Sequence, residues 1–163
     1  MRYGPEYWDK YGAYRTPIAF HLSLLVLLRS YFIWLMAALS RRPDLDIMSL
    51  FFNSKSDFFF SIGIAAIALL PAVIFCLRRP QDNPDSAKRL ASIWRFMRWP
   101  LILCAIIDLG WLTYQAAHSH YQFSLFLACQ MVIVLWVLLY LLKSRYLSVF
   151  FNDWPDPIIK KGE

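Results

Sequence analysis

Arg29, Asp108 and Gln130 each stand inside a stretch of about twenty mostly apolar residues, the length that crosses a bilayer. A full charge at the centre of a membrane costs roughly 2.5–3.5 kcal/mol on insertion scales, so a charge found there needs a partner or a task. As a task, Asp108 would be the titrating or cation-binding group of a proton, ion or substrate path, with Arg29 tuning it or holding an anion. As partners, the two would form an ion pair whose remaining hydrogen bonds Gln130 completes, pinning three helices together. Other residues of chemical interest are sparse. His118 and His120 stand two apart with no third ligand beside them, and His21 lies near the start of the first apolar run, so no metal site is expected. Cys76, Cys104 and Cys129 fall in apolar runs without ligand spacing and read as small hydrophobes. No Gly-rich phosphate loop, Gly-x-Ser-x-Gly elbow or His-Glu-x-x-His pattern is present. The chain is therefore expected to be non-enzymatic and to need no cofactor.

The elements that would carry these residues are membrane spans. Hydrophobic residues make up 59% of the 163, against the roughly 45–50% usual in soluble chains, and whole segments are apolar all round. Four spans are predicted, at about 17–39, 58–77, 100–117 and 123–142. Pro17 suits the start of the first, Pro71 should kink the second, and Arg78 and Arg79 end it. The third is the least hydrophobic; the fourth ends at Lys143 and Arg145, followed by a tail over 143–163. Counted from Pro17, Arg29 lies 12 residues in; counted from Pro100, Asp108 lies 8 in, so their depths are roughly 18 and 12 Å at 1.5 Å per residue. An arginine side chain reaches across that gap. Gln130, on a helix running the other way, comes to roughly the depth of Arg29.

Charge placement sets the orientation. Thirteen Lys and Arg fall on the side of the N-terminal segment, the middle loop and the tail, against three, Arg41, Arg42 and Lys55, on the other. Positive residues are retained in the cytoplasm, so both termini are expected there, and the basic balance reads as topology and not as nucleic-acid binding. Residues 1–16 carry acids and many tyrosines and precede too long a span to be a signal peptide's leader; they read as a segment at the headgroup layer. The first external loop holds an apolar cluster from Leu45 to Phe52, and the second is so short that spans three and four should form a hairpin.

Within the middle loop, Leu90, Ile93, Trp94 and Met97 recur at helical spacing, with Lys88, Arg89, Arg95 and Arg98 on the remaining faces. The pattern predicts an amphipathic helix over about 86–98 lying flat in the interface, Trp94 and Trp99 in the lipid boundary and the cations among anionic headgroups. In the tail, Val149, Phe150, Phe151 and Trp154 are placed to fold back on the membrane-proximal face, with Asp153 and Asp156 beside a basic surface.

The short motifs Asp9-Lys10-Tyr11-Gly12 with Arg15-Thr16-Pro17, Trp94-Arg95 through Arg98-Trp99-Pro100, and Ser144 to Phe150 with Asp153-Trp154-Pro155 run through most of the chain. In them the chain resembles the YfeZ-like inner-membrane proteins of gammaproteobacteria, a family of unknown function. The resemblance implies a bacterial inner membrane and no activity. The expectation is an all-α, polytopic single domain, a four-helix transmembrane bundle with an interfacial cytoplasmic helix. Its role would be that of an accessory or scaffold protein bound to lipid, and to a membrane-protein partner or a second copy. The alternative is a small transporter or channel subunit built on Arg29, Asp108 and Gln130.

Overall fold

The computed structural model describes residues 7–9, 13–39, 54–78, 84–118 and 125–155. Among them are seven helices: α1 Ile18–Leu27, α2 Arg29–Leu39, α3 Lys55–Cys76, α4 Pro84–Phe96, α5 Arg98–His118, α6 Leu125–Lys143 and α7 Arg145–Phe151. The only strand pairing in the described residues is one antiparallel bridge between Trp8 and Tyr14. The clusters expected at Leu45 to Phe52, and His120 and Asp156, lie outside the described residues.

The spans α3, α5 and α6 are apolar over most of their length, and the start of α3 is set by a cap. At α3, Ser54 accepts the Asp57 N–H at 3.1 Å, and Asp57 sets a negative charge against the helix dipole. The cap starts this span at Lys55, three residues before the expected Phe58. The helix then continues through Pro71, which is buried, to Cys76. Three helices, α3, α5 in continuity with α4, and α6, are long and apolar enough to cross a membrane; α1 and α2 together make a fourth.

Two predicted elements differ. The first span is not one rod: α1 and α2 meet at Leu28 with a bend of 65°. No Pro or Gly causes it. Arg29 donates to the Val26 carbonyl at 3.3 Å, so a guanidinium enters the hydrogen-bond ladder at the break while the rest of it reaches toward α5. A side chain inserted into the ladder is a recognised cause of kinks. The amphipathic helix, for its part, joins the third span without a loop between them. At Met97 the N–H bonds to Trp94 O at 3.0 Å, a single tighter turn, and the helix runs on, so Asp85–His118 forms 34 continuous helical residues.

Small side chains let the bundle close. On α3, Ser61, Ala65, Ala68 and Pro71 form one buried face; on α5, Leu101, Cys104, Ala105, Asp108 and Leu112 form another. The Cys104 thiol lies 3.4 Å from the Ile64 carbonyl, so these two backbones approach closely. The predicted hairpin of spans three and four is present, with α5 and α6 making the largest helix–helix interface.

At the end of the bundle where α1 begins and α6 ends, Phe20, Phe75, Trp94, Phe150 and Phe151 form an aromatic core with ring centroids 4.7–6.4 Å apart. The tail folds back as expected, through α7. Ser144 caps that helix by accepting the Leu147 N–H, and Leu147, Phe150 and Phe151 are buried. Trp94 Nε1 donates to Phe150 O at 3.2 Å, which satisfies the one polar atom this core encloses in Trp94. Trp94→Ala is expected to cost about 3–5 kcal/mol, as for large aromatics removed from tight cores. Phe96→Ala, at a side chain 62% exposed, should shift the detergent-solubilised melting temperature little by comparison. Parallel thermal unfolding curves check the contrast.

Candidate functional site

Arg29 opens α2 at the bend, and Asp108 sits on the buried face of α5 with Leu101, Cys104, Ala105 and Leu112. Their contact is bidentate: Nη1 donates to Asp108 Oδ2 at 2.5 Å and Nη2 to Oδ1 at 2.8 Å. The parallel fork is the strongest geometry available to an arginine and a carboxylate. The side chains are 19% and 6% exposed, so both charges are largely withdrawn from their surroundings. Gln130 does not complete the layer: it is half-buried on α6, and among the described residues the pair's hydrogen bonds run only to each other and to Val26 O.

A second polar constellation closes the aromatic end. Tyr14 N–H donates to Asp153 Oδ2 at 2.7 Å, and Arg78, just beyond α3, lies 3.5 Å from the same oxygen and donates to Tyr14 O at 3.2 Å. The Arg78 guanidinium carbon is 4.3 Å from the Phe150 ring centroid and 5.9 Å from that of Trp94, within cation–π range. Burial lowers the Arg78 pKa from its ordinary value, and the Asp153 charge works against that shift. Tyr146 O–H donates to Arg15 O at 2.6 Å, and its ring packs against Tyr7 and Tyr14. The segment before α1, the end of α3 and the tail are thereby bound at one end of the bundle.

The residues expected at lipid headgroups divide. Lys88, Arg89, Arg95 and Trp99 are exposed, as that role requires. Trp94 is not: its exposure is 0%, because the tail covers it. Arg98 is half-buried and caps α6, donating from Nε and Nη2 to Leu141 O at 3.0 and 2.7 Å and from Nη2 to Leu142 O at 3.0 Å. His21 sits beside Phe75 and Pro17 O, and His118 stacks on Tyr114. Among the described residues no three His, Cys, Asp or Glu side chains gather as a metal would need. The cysteines are free thiols, Cys104 buried and the other two exposed to the surroundings. The sequence pattern marks Arg78, Lys143 and Arg145 only as span ends and orientation signals. The signal for Arg78 was present in Asp153, an acid inside an aromatic tail, but nothing in the spacing says which of six neighbouring cations it meets.

Comparison with known proteins agrees with this outline. The family model for proteins of unknown function designated DUF2919 matches residues 3–153. The inner membrane protein YfeZ of Escherichia coli (strain K12) is 27% identical over 109 residues, which make up 66% of each chain. No solved structure matches. The resemblance to YfeZ-like proteins read from the short motifs is borne out.

If the Arg29–Asp108 pair is a pin, Arg29→Leu and Asp108→Asn each leave one partner stranded, at a cost of about 3–5 kcal/mol. The expected outcome is a loss of folded yield in each single variant and recovery of most of it in the double variant, read by size-exclusion chromatography of the solubilised protein.

Proposed function

We propose, for a chain that belongs to the DUF2919 family, the role of a non-enzymatic accessory or scaffold protein of a bacterial inner membrane. Both termini lie in the cytoplasm, and the bundle holds out a basic, aromatic helical face to a membrane-protein partner or to a second copy. The location is supported by the name of the Escherichia coli relative and by the four membrane-capable segments. The orientation is supported by the 13 to 3 distribution of Lys and Arg. It is also supported by the contacts that hold Tyr14, Arg78 and Asp153 at one end.

One observation carries the reading: α4 is anchored on one side and open on the other. Ala87, Trp94 and Met97 are buried, whereas Ile93 is 45% exposed and Phe96 62% exposed, with Lys88, Arg89 and Arg95 beside them. A helix clamped by its own core presents these groups without further ordering, which lowers the cost of recognition. Arg and aromatic residues are enriched in protein interfaces. The rival transport reading draws little from the polar layer, since both Asp108 oxygens are engaged by Arg29 and Gln130 bonds to neither.

A photo-crosslinking amino acid placed at Ile93 or Phe96 in the intact membrane tests this. The expected result is a discrete protein adduct at both positions, abolished by Lys88→Glu with Arg89→Glu. Adducts to lipid alone at both positions would overturn the proposal.

A further inference from the structure

Beside the break between α6 and α7 lies a cavity of about 490 Å³ whose walls include Arg98, Lys143, Ser144, Arg145 and Ser148. A second, of about 440 Å³, includes Arg95, Arg98, Trp99, Ser148 and Asn152. The two share Arg98, Leu142 and Ser148 and so are lobes around one guanidinium. No Asp or Glu lines either lobe, while four cations do. Nearby Asp153 is turned to Tyr14 and Arg78. Arg98 is fixed by its three bonds to the end of α6, so its charge stands in place before anything binds. The exposed hydroxyl of Ser148 adds a neutral donor to a lining suited to phosphate oxygens.

An apolar groove shares Trp99 as a wall with this basic pocket. Its volume is about 520 Å³, and it runs between α3 and α5, walled by Ala66, Ile67, Leu70, Trp99, Pro100 and Leu103. Leu70 and Ala66 lie 6 and 10 residues from the end of α3 at Cys76, hence roughly 9 and 15 Å below it, within the hydrocarbon. Leu103, 5 residues into α5, is roughly 8 Å deep. Charge at the rim and grease below, sharing one tryptophan, is the arrangement that a phospholipid fills and a soluble phosphate does not.

We propose that this pocket binds an anionic phospholipid carrying two phosphodiester groups. One phosphate lies in the lobe of Lys143 and Arg145, the other in the lobe of Arg95, both facing Arg98, and an acyl chain lies in the groove below Trp99. Basic pockets between spans on the cytoplasmic side are known to take such headgroups. The site borders the face of α4 proposed above and shares Arg95 and Phe96 with it, but it is tested on the isolated chain, where no protein partner is present.

The test is native mass spectrometry of the delipidated full chain titrated with diphosphatidylglycerol, phosphatidylglycerol, phosphatidylcholine, inorganic phosphate or glycerol bisphosphate. Diphosphatidylglycerol is expected to be retained as one molecule per chain at about a tenth of the phosphatidylglycerol concentration. Lys143→Gln with Arg145→Gln should weaken it on the order of thirtyfold and Arg95→Gln on the order of fivefold, with phosphatidylcholine unaffected. None of these side chains donates a described hydrogen bond, and circular dichroism of each variant verifies the fold. Ala66→Trp, which fills the groove, should also lower retention while leaving the basic lobes intact. Equal retention of the one-phosphate and two-phosphate lipids, or indifference to the cation variants, would overturn the proposal. Displacement of the lipid by millimolar inorganic phosphate or glycerol bisphosphate would overturn it too, showing a site for soluble phosphates.

Discussion

A charge that enters hydrocarbon must bring its counter-charge, and the bundle is arranged around one instance of that rule. Arg29 and Asp108 belong to helices that are far apart in sequence, and their bidentate contact fixes the rotation of α5 and the point where the first span bends. With Asp108 turned inward, Leu101, Cys104, Ala105 and Leu112 share its face and meet the small residues of α3. In lipid, apolar side chains gain little by leaving one hydrocarbon for another, so close packing and a few polar contacts decide the arrangement. The pair supplies direction that the grease alone does not.

Outside the hydrocarbon the controlling feature is Trp94. Its ring lies among Phe20, Phe75, Phe150 and Phe151, its indole nitrogen is satisfied by Phe150 O, and Arg78 stacks nearby. This core joins α1, α3, α4 and the tail, so the outer side of α4 and the basic pocket by α7 stand on a common foundation. The ends of membrane bundles are often loops; here, among the described residues, helices held by buried aromatic rings form this end.

The spans and the Arg29–Asp108 contact were legible because hydropathy marks a segment and 1.5 Å per residue converts position into depth. What escaped was tertiary. Amphipathic spacing showed that Leu90, Ile93, Trp94 and Met97 share a helical face, yet it does not say what covers that face. The tail covers Trp94, Met97 is buried in the same cluster, and Ile93 is left outside. The run of helix from Asp85 to His118 was read as two elements because the charge pattern changes near Arg98, although nothing at Met97 forbids a helix. Gln130 comes level with the pair by residue count but has no described bond to it, and residue count does not supply helix rotation. The bend at Leu28 has no Pro or Gly to announce it; it follows from where Arg29 must reach.

That bend has a geometric result for the surrounding bilayer. Straight, the 22 residues from Ile18 to Leu39 would measure roughly 33 Å; folded by 65° at Leu28, their end-to-end distance falls to roughly 27 Å, less than the ~30 Å of an average hydrocarbon core. Taken as one crossing, the bent pair covers less of a bilayer's thickness than a straight helix of the same residues would. A bundle with such a span has a shorter apolar wall on its α1–α2 side than the number of residues there implies.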